Sequence, residues 1–81
     1  MTPNESTVIN ILQEIVRSKG LPAPNLTPDT LLDARLGLES LDFAELVVRM
    51  EEHTGKDPFA SEAPQQIHTI SDLAALYEAT Q

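Results

Sequence analysis

Val8, Ile9, Ile11, Leu12, Ile15 and Val16 recur at spacings of three and four residues. That period gathers the six aliphatic side chains along one side of an α-helix. Thr2-Pro3-Asn4-Glu5 precedes the run with the form of a capping box and proline at the first helical position. Lys19 suits the negative end of the helix dipole, and Gly20 is a natural stop. The spacing predicts a helix near residues 3–19. A second helix is expected from about Ser40 to Thr54, closed by Gly55, with Phe43, Leu46, Val47 and Met50 in one sector facing the core. Ser61 to Ile67 can form a short third helix, with Ser61 as its cap. Thr69-Ile70-Ser71-Asp72 resembles a capping box with Asp in the reciprocal position, and it introduces Ile70, Leu73, Ala74, Leu76 and Tyr77 as the apolar face of the last helix. The expected fold is all-α: a small four-helix bundle with a long first loop and a short third helix.

The chain of 81 residues suits one domain, residues 1–81, that buries about 60–65% of its unfolded surface. It has no cysteine, so neither a disulfide framework nor thiol chemistry of the polypeptide is available. Phe43, Phe59 and Tyr77 are its aromatic residues, which leaves the core to aliphatic packing. The connection at residues 21–39 contains Pro22, Pro24 and Pro28, yet Leu26, Leu31, Leu32, Leu36 and Leu38 give it apolar anchors. It reads as a packed loop, with Thr27-Pro28-Asp29-Thr30 able to start a short turn. Lys56-Asp57-Pro58-Phe59 reads as a turn that plugs Phe59 into the core.

The formal charge of −8 opposes binding to nucleic acid and to acidic membrane surfaces. Basic patches on partner proteins are its natural complement. No apolar run is long enough to span a bilayer, and no basic stretch followed by an apolar core opens the sequence, so a cytoplasmic protein and no membrane partner are expected. His53 and His68 fall on different elements without metal-ligand spacing. Glu51 and Glu52 point about 100° apart on a helix and do not converge on a substrate. No calcium loop, glycine-rich phosphate loop or nucleophile elbow is present. An independent enzyme is not expected, and no catalytic or metal-binding residue is assigned.

Ser40 is the residue with the most chemistry to offer. It stands where the second helix begins, and the nearest histidine, His53, lies more than three helical turns further on. A serine without a base is a poor self-activated nucleophile but a good attachment point. Helix N-termini favour anions, so a phosphodiester on Ser40 would be well placed. Serine is also a preferred N-cap, and capping alone would account for this residue. It would not account for the continuation Leu41-Asp42-Phe43-Ala44-Glu45-Leu46-Val47 through Glu51-Glu52. Leu41, Ala44 and Val48 form a second apolar stripe, fringed by Asp42, Glu45 and Glu52, which reads as a docking surface.

Leu36-Gly37-Leu38-Glu39-Ser40-Leu41-Asp42 resembles the Gly-x-Asp-Ser-Leu signature of carrier proteins, the acyl carrier protein family that binds phosphopantetheine. The resemblance covers nearly the whole chain, most strongly residues 36–52. It departs at Glu39, where the family usually has Asp, and at Arg35-Leu36-Gly37, where an Asp-Leu-Gly is typical. The family's aromatic after the paired glutamates is also missing, with His53-Thr54 in its place. The resemblance implies 4'-phosphopantetheine, taken from coenzyme A by a phosphopantetheinyl transferase and joined to Ser40. It also implies an acyl or related group held as a thioester on that arm, for fatty acid, polyketide or specialised secondary biosynthesis. Loading and processing enzymes with basic docking patches would meet Glu39, Leu41, Asp42, Ala44, Glu45, Val48 and Glu52, and a short acyl chain could fold against Leu46, Met50 and Ile67. A monomer is the default. Three alternatives stay open: an aminoacyl or peptidyl carrier, an acidic helical adaptor that is never modified, and phosphorylation of Ser40 as a switch.

Overall fold

The structure, a computed structural model, describes residues 1–22, 25–32, 38–56 and 67–79. The regular elements among the described residues are three helices: α1, Pro3–Ser18; α2, Ser40–Thr54; and α3, Ile70–Ala79. No strand is formed among the described residues beyond one isolated antiparallel bridge between Leu31 and Thr69. The third helix of the expected bundle, placed at residues 61–67, lies outside the described residues except for Ile67, and so do the plug by Phe59 and the anchor at Leu36; the expected last helix is α3.

The two ends of α1 and the close of α2 rest on local chemistry. Thr2 Oγ1 accepts from the Glu5 N–H at 3.1 Å, and Glu5 Oε1 accepts from the Thr2 N–H at 2.7 Å, which completes the capping box of α1. At the other end Lys19 is the C-cap, one residue beyond the last helical position. Gly20 then takes a φ of 80°, and its N–H and that of Leu21 donate to the carbonyls of Arg17 and Val16. That left-handed closure satisfies carbonyls the helix leaves open, and glycine adopts it without the steric cost of a Cβ. Gly55 closes α2 in the same left-handed region, at a φ of 71°, with its N–H donating to Glu51 at 2.7 Å.

The core sits where α1 lies between the other two helices. Val8, Leu12, Ile15 and Val16 of α1 meet Leu46 and Met50 of α2 and Ile70, Leu73, Ala74 and Tyr77 of α3, all buried. α1 packs against both α2 and α3, so the aliphatic stripe that predicted it is also the centre of the molecule. From the long connection Leu38 is buried, and Leu26 and Leu32 are half-buried against the core. Leu31 corrects the sequence reading: it is 44% exposed, because its backbone is spent on the bridge to Thr69 and its side chain turns outward.

That bridge belongs to a wider attachment. The Leu32 N–H donates to the His68 carbonyl at 2.8 Å, while the carbonyls of Thr30 and Pro28 accept from Ile70 and Ser71 at 3.1 and 2.9 Å. The turn of Thr27–Thr30, closed by Thr30 N–H to Thr27 O at 3.0 Å, thus delivers carbonyls to the first N–H groups of α3, which have no partner inside the helix. Asp72 Oδ2 accepts from the N–H groups of both His68 and Thr69 at 3.0 Å, and Thr69 Oγ1 accepts from the Asp72 N–H at 3.1 Å. These backbone bonds hold the Asp72 carboxyl below its ordinary pKa.

Candidate functional site

Ser40 is the first helical residue of α2, and Glu39 is the N-cap. This corrects the capping explanation of the serine. Cap and first position differ in where the side chain goes: a cap side chain folds back onto the helix N–H groups, whereas the next residue projects away from them. Ser40 is exposed, and among the described residues no hydrogen-bond partner engages its hydroxyl. Capping duty passes to its neighbours. Asp42 Oδ2 accepts from the Glu39 N–H at 2.9 Å, and the Glu39 carbonyl accepts from the N–H groups of Asp42 and Phe43 at 2.9 and 3.2 Å.

Asp42 does not stand free as a recognition charge. Its Oδ2 also receives the Lys19 ammonium at 2.6 Å, across 23 residues of sequence. The Lys19 hydrogen bond and the Glu39 N–H hold the Asp42 carboxyl below its ordinary pKa. The same contact raises the Lys19 amine above its own ordinary value. The sequence offered no local signal for this pair, since the two residues meet only once α1 and α2 have packed.

The second stripe of α2 points outward as expected. Leu41 is 81% exposed and Val48 51%, and Ala44, Glu45 and Glu52 are exposed with them. At about 100° per residue these five fall within about 100° of arc, opposite Leu46 and Met50. Glu39 is exposed beside the start of this face. Glu45 is tied to Arg49 at 2.7 Å, and Arg49 reaches Glu14 of α1 at 2.8 Å, so one cation is shared between two exposed carboxylates.

On the other side of α2 an apolar cavity of about 320 Å³ opens between Leu32, Phe43, Leu46, Val47, Ile67 and Leu73. Leu46 and Ile67 were expected there. Met50 was also expected, but it does not line the cavity; one turn beyond Leu46 it is 0% exposed and spent in the core. Phe43 and Val47, read as core residues, are half-buried and form the wall instead. Leu32 and Leu73 are wall residues that the sequence reading missed, because only the bridge between the connection and the start of α3 brings them together. Phe43 lies three residues after Ser40, about 4.5 Å of helix rise.

A model of the phosphopantetheine attachment site family matches residues 7–77. The chain belongs to that family. It is also 33% identical over 73 residues to an acyl carrier protein of Solidesulfovibrio magneticus, an alignment covering 90% of this chain and 92% of the relative. No solved structure matches it significantly. As a member of the family the chain is a carrier protein, and its cofactor is covalently attached 4'-phosphopantetheine. Carriers of this kind interact with phosphopantetheinyl transferases and with biosynthetic enzymes and are generally not catalysts themselves. The site suits such a group chemically: an exposed hydroxyl, a helix start that favours negative charge, and an apolar cavity beginning one turn away. Among the described residues no helix is long and apolar enough to cross a membrane.

Proposed function

We propose that Ser40 carries the phosphopantetheine arm and that the chain holds acyl intermediates for enzymes that extend or transfer them. The observation behind this reading is the exposed hydroxyl of Ser40 at the first position of α2, inside the matched segment and released from capping by Glu39 and Asp42. In forming the link the hydroxyl gives up its proton to a base of the transferase and its oxygen bonds to phosphorus, while the pyrophosphate bond of coenzyme A breaks and adenosine 3',5'-bisphosphate leaves with the bonding pair. The partial positive charge of the helix start then faces the phosphodiester. Once bound, the arm supplies a flexible tether ending in a thiol. The polypeptide supplies the address, and tethering raises the effective concentration of cargo at a docked enzyme without a strong interface.

The apolar wall of Phe43, Leu46, Val47 and Ile67 favours an acyl group over an aminoacyl or peptidyl one, since it presents hydrocarbon and little to satisfy buried polar groups. Partners with basic patches would meet Leu41, Ala44, Val48, Glu45, Glu52 and Glu39, with Asp42 behind them in a structural role. The proposed setting is a fatty acid, polyketide or specialised secondary pathway of the cytoplasm, served by a monomer. The test is intact mass after co-expression with a broad-specificity phosphopantetheinyl transferase. The native chain gains the mass of one arm, and Ser40→Ala gains none. An unchanged native mass, under conditions that load a known carrier, would mark the chain as an unmodified acidic adaptor.

A further inference from the structure

We propose that Lys19 is a positioning residue for the modification of Ser40, acting through Asp42. The inference rests on the assignment of Ser40 above and adds a residue outside the family's signature. One carboxylate oxygen, Asp42 Oδ2, takes two donors: the Lys19 ammonium at 2.6 Å and the Glu39 N–H at 2.9 Å. Lys19 is the C-cap of α1, Glu39 immediately precedes Ser40, and Asp42 follows it by two residues. Ser40 therefore sits in a short arc held on both sides by the same oxygen, and that oxygen is fixed to a different helix. Without Lys19 the Asp42 cap would remain, but nothing would tie the first turn of α2 to the end of α1 through this carboxylate.

Modification depends on geometry, because a small misplacement of a reacting hydroxyl costs rate even when binding is unchanged. The clasp fixes the approach direction of a side chain that has no anchor of its own among the described residues. It also makes a prediction opposite to that of simple charge. Removing a cation from a chain of net charge −8 strengthens attraction to a basic enzyme and should speed encounter. Losing the clasp should slow the chemical step instead.

The experiment measures transferase kinetics on the native chain, Lys19→Met, Lys19→Arg and Asp42→Asn, with denaturant unfolding of each. Met keeps the apolar stem of Lys19, and the C-cap hydrogen bond from the Lys19 N–H to Val16 is backbone, so the fold should survive. Lys19→Met is expected to lower kcat about two- to fivefold, the range a surface ion pair supports, with KM unchanged or lower. Lys19→Arg should restore kcat, and adding Lys19→Met to Asp42→Asn should cost less than it does alone. A kcat for Lys19→Met equal to the native value overturns the proposal. So does a loss confined to KM that tracks the unfolded fraction, or a Lys19→Arg as slow as Lys19→Met. If the native chain gains no mass, the assignment of Ser40 falls and this inference with it; if it gains mass while Lys19→Met does so at the same rate, the clasp alone falls.

Discussion

Lengthening the bound acyl chain should stabilise the folded protein in steps, and the cavity sets their size. A chain entering between Phe43, Leu46, Val47, Ile67 and Leu73 leaves water for a wall that is almost wholly hydrocarbon. Each methylene so buried is worth about 0.8 kcal/mol. A two-carbon extension therefore contributes about 1.6 kcal/mol while space remains within the 320 Å³. For a domain of this size 1 kcal/mol moves the melting temperature by about 4–8 °C, so each extension should raise Tm by about 6–13 °C. A methylene that keeps one side on solvent gives roughly half of that. The increments should end once the cavity is full, because further carbons must stay in water. The assay is calorimetry on the carrier loaded with acyl groups in two-carbon steps. Val47→Phe supplies the control: Val47 is half-buried in the wall, and the added ring would occupy the space that the chain needs. That variant should be modified normally and melt at one temperature whatever its cargo. A native series with no dependence on chain length would refute the reasoning, and so would full steps surviving in Val47→Phe.

Three further outcomes are expected. Glu45→Lys should slow transfer onto Ser40 at low ionic strength, with the difference shrinking as salt is added; because it also replaces the Glu45–Arg49 pair by two like charges one turn apart, a loss of about 0.4–1 kcal/mol in urea unfolding should accompany it. Equal rates at low salt would remove Glu45 from the docking surface. Thr2→Ala should cost about 1 kcal/mol, since the Glu5 N–H loses its acceptor, and helix content measured by circular dichroism near the urea midpoint should report it. The Asp42 and Asp72 carboxyls are held below their ordinary pKa in the folded state. The unfolded chain therefore binds more protons in acid, and the stability these groups contribute is present above about pH 4 and lost as pH falls through their folded values. Asp72→Asn should flatten part of that acid limb while leaving the curve near neutrality parallel to the native one.

What could be read from the sequence was whatever is encoded within four or five residues. The capping boxes at Thr2–Glu5 and Thr69–Asp72, the glycines at 20 and 55, and the aliphatic period of α1 are local devices, and each appears where the spacing places it. The outward stripe of Leu41, Ala44 and Val48 was legible for the same reason, as simple helical phase. The errors lie where distant segments meet. Met50 and Phe43 share a face of α2, but only the position of α1 and the bridge at Leu31 decide which is sealed in the core and which lines a cavity. Asp42 looked like a recognition charge because its partner, Lys19, is 23 positions away. The exposed serine at the start of α2 was legible, whereas its release from capping depended on backbone geometry at Glu39 that no residue type announces.

The bridge between the long connection and the start of α3 bears on how this protein opens. Leu32, Ile70 and Ser71 each give an amide hydrogen to a carbonyl on the opposite segment, so neither segment can peel away without breaking bonds in the other. In deuterated solvent those three amides should exchange as a set, at a rate separate from the ends of α2. Leu32 lines the apolar cavity from the long connection, so an opening that frees these amides also removes one of the cavity's walls.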